Sequence, residues 1–202
     1  MLFLSAACSL FGHGSEEQPR YQVVMKTEDK EIRKYESTIV AKTTIQGSFK
    51  EAQSQGFNLL AGYIFGKNKA QKKIAMTAPV VQKAESEKIA MTAPVVMKPS
   101  DNQSWTMTFS MPSSFTLETL PTPTDARVVI EKIEPRYVAA IRFTGFWGEE
   151  KNAQKAHALK EWLKTQPEYK VASEAMFAGY NPPWTLPFLR RNEMLIELRL
   201  AD

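Results

Sequence analysis

Residues 37–49 read STIVAKTTIQGSF, and residues 135–147 read PRYVAAIRFTGFW. At an offset of 98, Val40-Ala41 falls on Val138-Ala139, Gly47 on Gly145 and Phe49 on Trp147. Each segment alternates residue type for several positions and then reaches a glycine and an aromatic, the pattern of a strand ending at a turn. A helix pattern follows both. In the first, Ser48 and Glu51 form an S-x-x-E capping box, and Phe49, Ala52, Phe57, Leu60, Tyr63 and Ile64 fall near three- and four-residue spacings. In the second, Glu149 and Glu150 occupy the first turn, where the helix dipole favours acids. Ala153, Ala156, Leu159 and Leu163 form its stripe, with Trp162 beside it, and Pro167 marks its end.

Further extended segments repeat around these cores. Each helix is followed by a piece containing Ala-Met (74–78 and 174–178) and by a closing strand (105–110 and 193–200). Each Val-Ala strand is preceded by another strand (21–26 and 127–134). The pattern predicts an α+β fold of duplicated βαββ units. Two half-sheets, each with a long helix, form a twisted antiparallel sheet or distorted β-barrel with pseudo-two-fold symmetry. The expected cleft lies near the helices or at the junction of the halves. A single domain is expected over 20–202, with halves at about 20–119 and 126–202. The Pro/Thr-rich connector 120–125 is too short to separate domains.

A second repeat is inserted in the first half: KIAMTAPVV occurs at 73–81 and again at 88–96. Strand alternation puts Ile74, Met76, Ala78 and Val80 on one face, and Ile89, Met91, Ala93 and Val95 likewise in the second copy. Joined by QKAESE, the copies could pair as an antiparallel ribbon at a sheet edge, since proline cannot donate to a ladder. Met is adaptable enough to wall an apolar site.

The bulk numbers narrow the function classes. The 202 residues are 43% hydrophobic and 24% charged, with net charge +4 and pI about 9.1. A nucleic-acid binder would cluster its bases on one face, whereas here Lys and Arg are scattered among acids, so no nucleic-acid partner is expected. One cysteine, Cys8, excludes an intramolecular disulfide and a Cys-based metal site. Two histidines, His13 and His157, are too few and too far apart for a His-rich site. His157 lies off the apolar stripe of its helix and reads as a surface residue. No Gly-x-Ser-x-Gly, phosphate loop or metal triad occurs, so a binding role is preferred over an enzyme.

The segment 1–19 differs from the rest. Small residues Ala6-Ala7 stand directly before Cys8, as at a bacterial lipoprotein cleavage site, although Ser5 departs from that motif and no basic n-region precedes it. This reading expects a signal-like segment, a lipid anchor at Cys8 and a place on the periplasmic side of a bacterial envelope; the alternative is a plain tail on a cytoplasmic protein. No run of 18 apolar residues follows, so no transmembrane helix is expected.

The doubled KIAMTAPVV, then FTLETLPTPTDARVVI (115–130), RFTGFW (142–147) and AGYNPPWTLPFLRRNE (178–193), resembles the SOUL heme-binding family from about residue 20 to the end. Its Cys-bearing N-terminus is similar to that of bacterial, lipoprotein-type members. The resemblance implies the duplicated βαββ fold and the binding of a tetrapyrrole, chiefly heme, on a surface beside the first helix. Heme needs an apolar groove, basic partners for its propionates and often an axial His, Cys, Met or Tyr. The folded first half offers no His, so heme or another porphyrin is expected without a histidine ligand. Phe57, Leu60, Tyr63 and Ile64 on the first helix, with Met76 or Met91, are the candidate groove. Tyr180, Arg190 and Arg191, bounding the Pro-rich loop 180–189, are the candidate partners of a flat anionic ligand, together with Lys67, Lys69, Lys72 and Lys73 after the first helix. Some family members carry in this loop a Lys assigned to propionate contact; here the place reads Trp184-Thr185-Leu186. Alternatives are a tetrapyrrole-modifying enzyme that removes the metal, and an effector- or partner-binding module for another apolar ligand.

Overall fold

A computed structural model describes residues 16–71, 86–101 and 103–201. The hairpin β1 (Tyr21–Thr27) and β2 (Lys30–Tyr35) comes first, followed by β3 (Thr38–Gln46) and helix α1 (Phe49–Ile64). A short β4 (Asn68–Lys69) leads to β5 (Val95–Ser100) and β6 (Ser104–Ser110). After β7 (Thr122–Pro123), the second half runs β8 (Val129–Ile133), β9 (Arg136–Phe143), α2 (Glu149–Leu163), β10 (Tyr169–Val171), β11 (Met176–Gly179) and β12 (Asn192–Leu200). The order β1-β2-β9-β12-β11-β5-β6-β3-β8 makes one curled antiparallel half-barrel, with β10 set beside β12. β4 and β7 form a separate small pair that fastens the connector between the halves to the end of α1.

The duplication is visible in this order. The centre is the β5·β11 pairing, where Met97 faces Phe177 and Val96 faces Ala178. Outward from it the strands match as β6 with β12, β3 with β9, and β8 with β2. The opening strands are exchanged: β2 pairs with β9 of the second half, and β8 pairs with β3 of the first. β2 is absent from the sequence reading because KEIRKY is rich in charge, yet it is the true counterpart of β8; the segment 21–26 is an additional outer strand.

The repeat-equivalent glycines carry the turns into the helices. Gly47 has φ 122° and Gly145 has φ 93°, a region open to glycine and strained for other residues. The capping box at α1 forms as the sequence predicts: Ser48 Oγ accepts from the Glu51 N–H, and Glu51 accepts from the Ser48 N–H. α2 begins at Gly148 with no side-chain cap.

The main core lies between the sheet and the helices. Leu60, Tyr63 and Ile64 from α1 and Leu159 and Leu163 from α2 are buried there with Met97, Met107, Phe109, Ala139, Ile141 and Ile196. The stripe of α1 departs from the expected pattern by one position. Gly56, not Phe57, faces the sheet, because α1 lies so near β6 that a Cβ at Gly56 would stand 3.2 Å from the Met107 Cβ. Phe57 is turned outward, 40% exposed, with its ring edge on Phe109.

The reverse face of the sheet carries a second cluster: Tyr35, Val138, Ala140, Met176, Ala178, Tyr180 and Leu195. β9 therefore buries both faces, which is why its sequence runs Val-Ala-Ala-Ile where β3 alternates with polar residues.

The ribbon expected from KIAMTAPVV needs correction where it can be seen. The first copy, with Met76, lies outside the described residues. In the second, only Val95 and Val96 enter a strand. Alternation fails there: Ile89 and Met91 pack against the helix-side core, but Ala93 packs in the reverse-face cluster. The segment crosses from one face of the sheet to the other, anchored by the Thr92 hydroxyl donating to the Ser110 carbonyl. No described helix is long and apolar enough to cross a bilayer.

Candidate functional site

Phe49 and Trp147, equivalent in the sequence repeat, meet across the pseudo-two-fold axis with ring centroids 5.7 Å apart. Trp105 from β6 sets its ring edge-on to Phe49 at 4.9 Å, and Phe177 from β11 lies 5.0 Å from Trp147. These rings form the floor between the two helices. Above it opens a cleft of about 800 Å³, lined by Phe49 of α1, by Trp105, Phe177 and Met194 of the sheet, by Asn152, Ala153 and Ala156 of α2, and by Ala175 just before β11. This volume falls in the range of small-molecule sites. A lining of aromatic rings and alanine methyl groups suits a flat apolar body.

The rim is acidic. Among the described residues, Glu51 and Glu149 line the cleft and no Lys or Arg does. The Ser48 backbone N–H and hydroxyl, both donating to Glu51, hold its carboxyl below the usual range. Asn152 is a buried polar residue in this wall, and its Oδ1 accepts no hydrogen bond. A second cavity of about 530 Å³ lies elsewhere, beneath residues 17–20 and beside 36–39 and 110–118. Its lining is more polar, including Glu17, Arg20, Glu36 and Lys132.

The residues proposed from sequence fall in several places. Leu60, Tyr63 and Ile64 have 0–1% of their surface exposed and form core. The Tyr63 hydroxyl donates to the Pro121 carbonyl, and burial pushes its pKa up to about 12. Met91 is half-buried against the same core. Lys67 and Lys69 are exposed at the C-terminal end of α1, roughly 24 Å along the helix from the cleft; Lys72 and Lys73 lie outside the described residues. His157 is exposed, as its helical position predicts.

Tyr180 and Arg191 are engaged in a buried ionic network on the reverse face. At its centre is Glu193, which has 0% exposure. Arg33 clasps it with Nη1 at 2.6 Å and Nη2 at 3.0 Å. Arg191 donates to the same carboxylate through Nε and Nη2, and the Tyr180 hydroxyl donates to Oε2 at 2.8 Å. The Arg191 guanidinium lies 3.8 Å over the Tyr180 ring. Burial by itself would raise the pKa of Glu193, but the bonds and charges of the two arginines outweigh it and hold the carboxyl below its ordinary value. Arg190 is turned into the Pro-rich loop, where Nε donates to the Thr185 carbonyl and Nη2 to that of Pro183.

The cleft residues Trp105, Asn152, Phe177 and Met194 were not singled out from sequence as ligand contacts. The available signal was the pair Ala153 and Ala156. These are small residues in the first two turns of α2, and the same turns of α1 also bury small residues, Ala52 and Gly56.

Comparison with known proteins adds the lineage. The family model described as SOUL heme-binding protein matches residues 16–87 and 81–197. Heme-binding protein 2 of Mus musculus is 31% identical over 167 residues, covering 81% of this chain and 75% of the mouse protein. Among solved structures, the EcmrR C-terminal domain aligns over 90% of this chain and 99% of its own at TM-score 0.58 and 10% identity. A hydrolase from Listeria innocua aligns over 87% and 94% at TM-score 0.56 and 10% identity. At such identities these two share the fold alone. The matched sequence spans both halves of the duplication, and the chain belongs to the SOUL heme-binding protein family.

Proposed function

We propose that this protein binds heme or a related tetrapyrrole in the slot between α1 and α2, non-catalytically and without a histidine ligand. The observation that carries this reading is the slot itself, a volume of about 800 Å³ lined by Phe49, Trp105 and Phe177 together with Ala153 and Ala156. Family membership supports the ligand class. The walls fit an apolar macrocycle edge. The described residues of the rim include Glu51 and Glu149 and no cation to pair with propionates, so the disc enters by its apolar edge and keeps its carboxylates in water. Among the described lining residues, Met194 carries a soft donor atom of the kind that ligates heme iron. Heme, when bound, would bring a redox-active iron and an absorption signature. This chain's residues exclude water from one edge of it. A carrier, buffer or sensor at the cell envelope is the role this reading gives, with Cys8 as the anchor.

The test is titration with heme and with iron-free protoporphyrin, followed by the Soret band and by tryptophan quenching, since Trp105 and Trp147 stand at the slot. Saturable one-to-one binding of both, abolished in Ala156→Phe while the melting temperature is kept, is the expected result. Binding that survives Ala156→Phe would move the site away from the slot. Binding of neither ligand would turn the reading toward another apolar effector.

A further inference from the structure

Four large apolar side chains that do not line the slot stand exposed to water. Trp184 is 75% exposed, Phe146 70%, Phe188 68% and Leu186 48%. They belong to the loop 182–190 and to the turn before α2, and Arg190 joins them: its guanidinium lies 5.6 Å from the Phe146 ring while donating to the carbonyls on either side of Trp184. The Gly145 N–H donates to the Pro187 carbonyl at 2.8 Å, and Asn192 Nδ2 donates to the Gly145 carbonyl. Pro182, Pro183 and Pro187 fix the backbone further. The loop is therefore held with its rings outward, and the rings cannot fold back onto the core. Contiguous exposed apolar surface of this kind marks an interaction site.

We propose that this aromatic loop is a bilayer contact, inserting Trp184, Phe188, Leu186 and Phe146 into the interfacial zone of a membrane containing anionic lipid. None of these four side chains lines either of the two cavities described above. Trp and Phe favour the membrane–water interface, where a ring can be buried beside wet headgroups. Charge supports the same partner. Arg190 sits within the patch, Lys151 holds its ammonium against the Thr144 carbonyl beside it, and the chain carries net charge +4. Glu149 and Glu150, at the start of α2, are the opposing charges nearby. They leave the contact dependent on the rings as well as on the bases. Its four side chains are separate from those that line the tetrapyrrole slot.

Co-sedimentation of the full chain with phosphatidylcholine vesicles, and with vesicles of equal parts phosphatidylcholine and phosphatidylglycerol, tests this. The double variant Trp184→Ser, Phe188→Ser is compared with the parent. Because both side chains are exposed, the variant keeps its melting temperature. The expected result is tighter binding to the phosphatidylglycerol vesicles and a fall of roughly tenfold or more in partitioning for the variant. Equal sedimentation of parent and variant would overturn the proposal, as would a parent that sediments with neither vesicle. A variant that binds vesicles normally but has lost tetrapyrrole affinity would assign the loop to the ligand instead.

Discussion

The two helices occupy equivalent places in the repeat but are used differently. α1 buries Phe49, Ala52, Gly56, Leu60, Tyr63 and Ile64 along its whole length, and is closed by a complete capping box. α2 buries Asn152, Leu159 and Leu163, has no side-chain cap, and presents Ala153 and Ala156 to open space. The duplication kept the frame of strand, glycine turn and helix. The cleft lies beside the N-terminal turns of both helices, where the buried positions of α1 after Phe49 are also small, Ala52 and Gly56.

The sheet shows the same inequality on its reverse face, and the largest expected effect lies there. Removing the charge of Glu193 leaves the half-buried Arg191 without its carboxylate and the buried Arg33 with Glu31 alone. Glu193→Gln is expected to destabilise the protein by about 3–5 kcal/mol, read as the shift in urea midpoint; a loss below about 1 kcal/mol would show the network to be dispensable. The pH dependence follows from the depressed carboxyl. Its stabilisation is full above the unfolded-state value of about 4.3 and is lost as pH falls through the lower folded value. The gap in midpoint between the parent and Glu193→Gln should thus stay constant near neutrality and narrow on acidification. A gap that widens in acid would reverse the assignment.

Next in size is the contrast between helix faces. Leu60→Ala, in the filled stripe of α1, is expected to cost about 2–5 kcal/mol, whereas Ala153→Leu on the open face of α2 should change stability by less than about 0.5 kcal/mol while weakening tetrapyrrole binding. Equal costs would mean that α2 is packed as tightly as α1. The smallest effects concern the caps. Ser48→Ala should cost about 1 kcal/mol. Gly148 has an extended backbone, and a Cβ there meets nothing within 4 Å, so Gly148→Ser should gain a few tenths of a kcal/mol. A strain penalty in that variant would show that the two helix entries differ by more than the missing side chain.

The sequence by itself determined the frame. The offset-98 repeat, the glycine-aromatic turns and the capping box are local patterns, set by backbone sterics and by the period of each element, and they folded where they were read. The alignment made Phe49 the equivalent of Trp147, and the closing of the sheet brought the two rings together. What only the tertiary structure decided was which side of each stripe became core and which became cleft. Leu60, Tyr63 and Ile64 have the spacing of a binding face, but the approach of α1 to β6 at Gly56 seals them. Tyr180 and Arg191 have the chemistry of an anion site, but the exchange of opening strands brings Arg33 onto Glu193 from 160 residues away and completes a closed network. Trp105, Phe177 and Met194 lie on three strands whose side chains meet only after the sheet curls. Long-range pairing of this kind leaves no periodic trace in a single sequence, because the register between distant strands is fixed by packing and not by the residues between them.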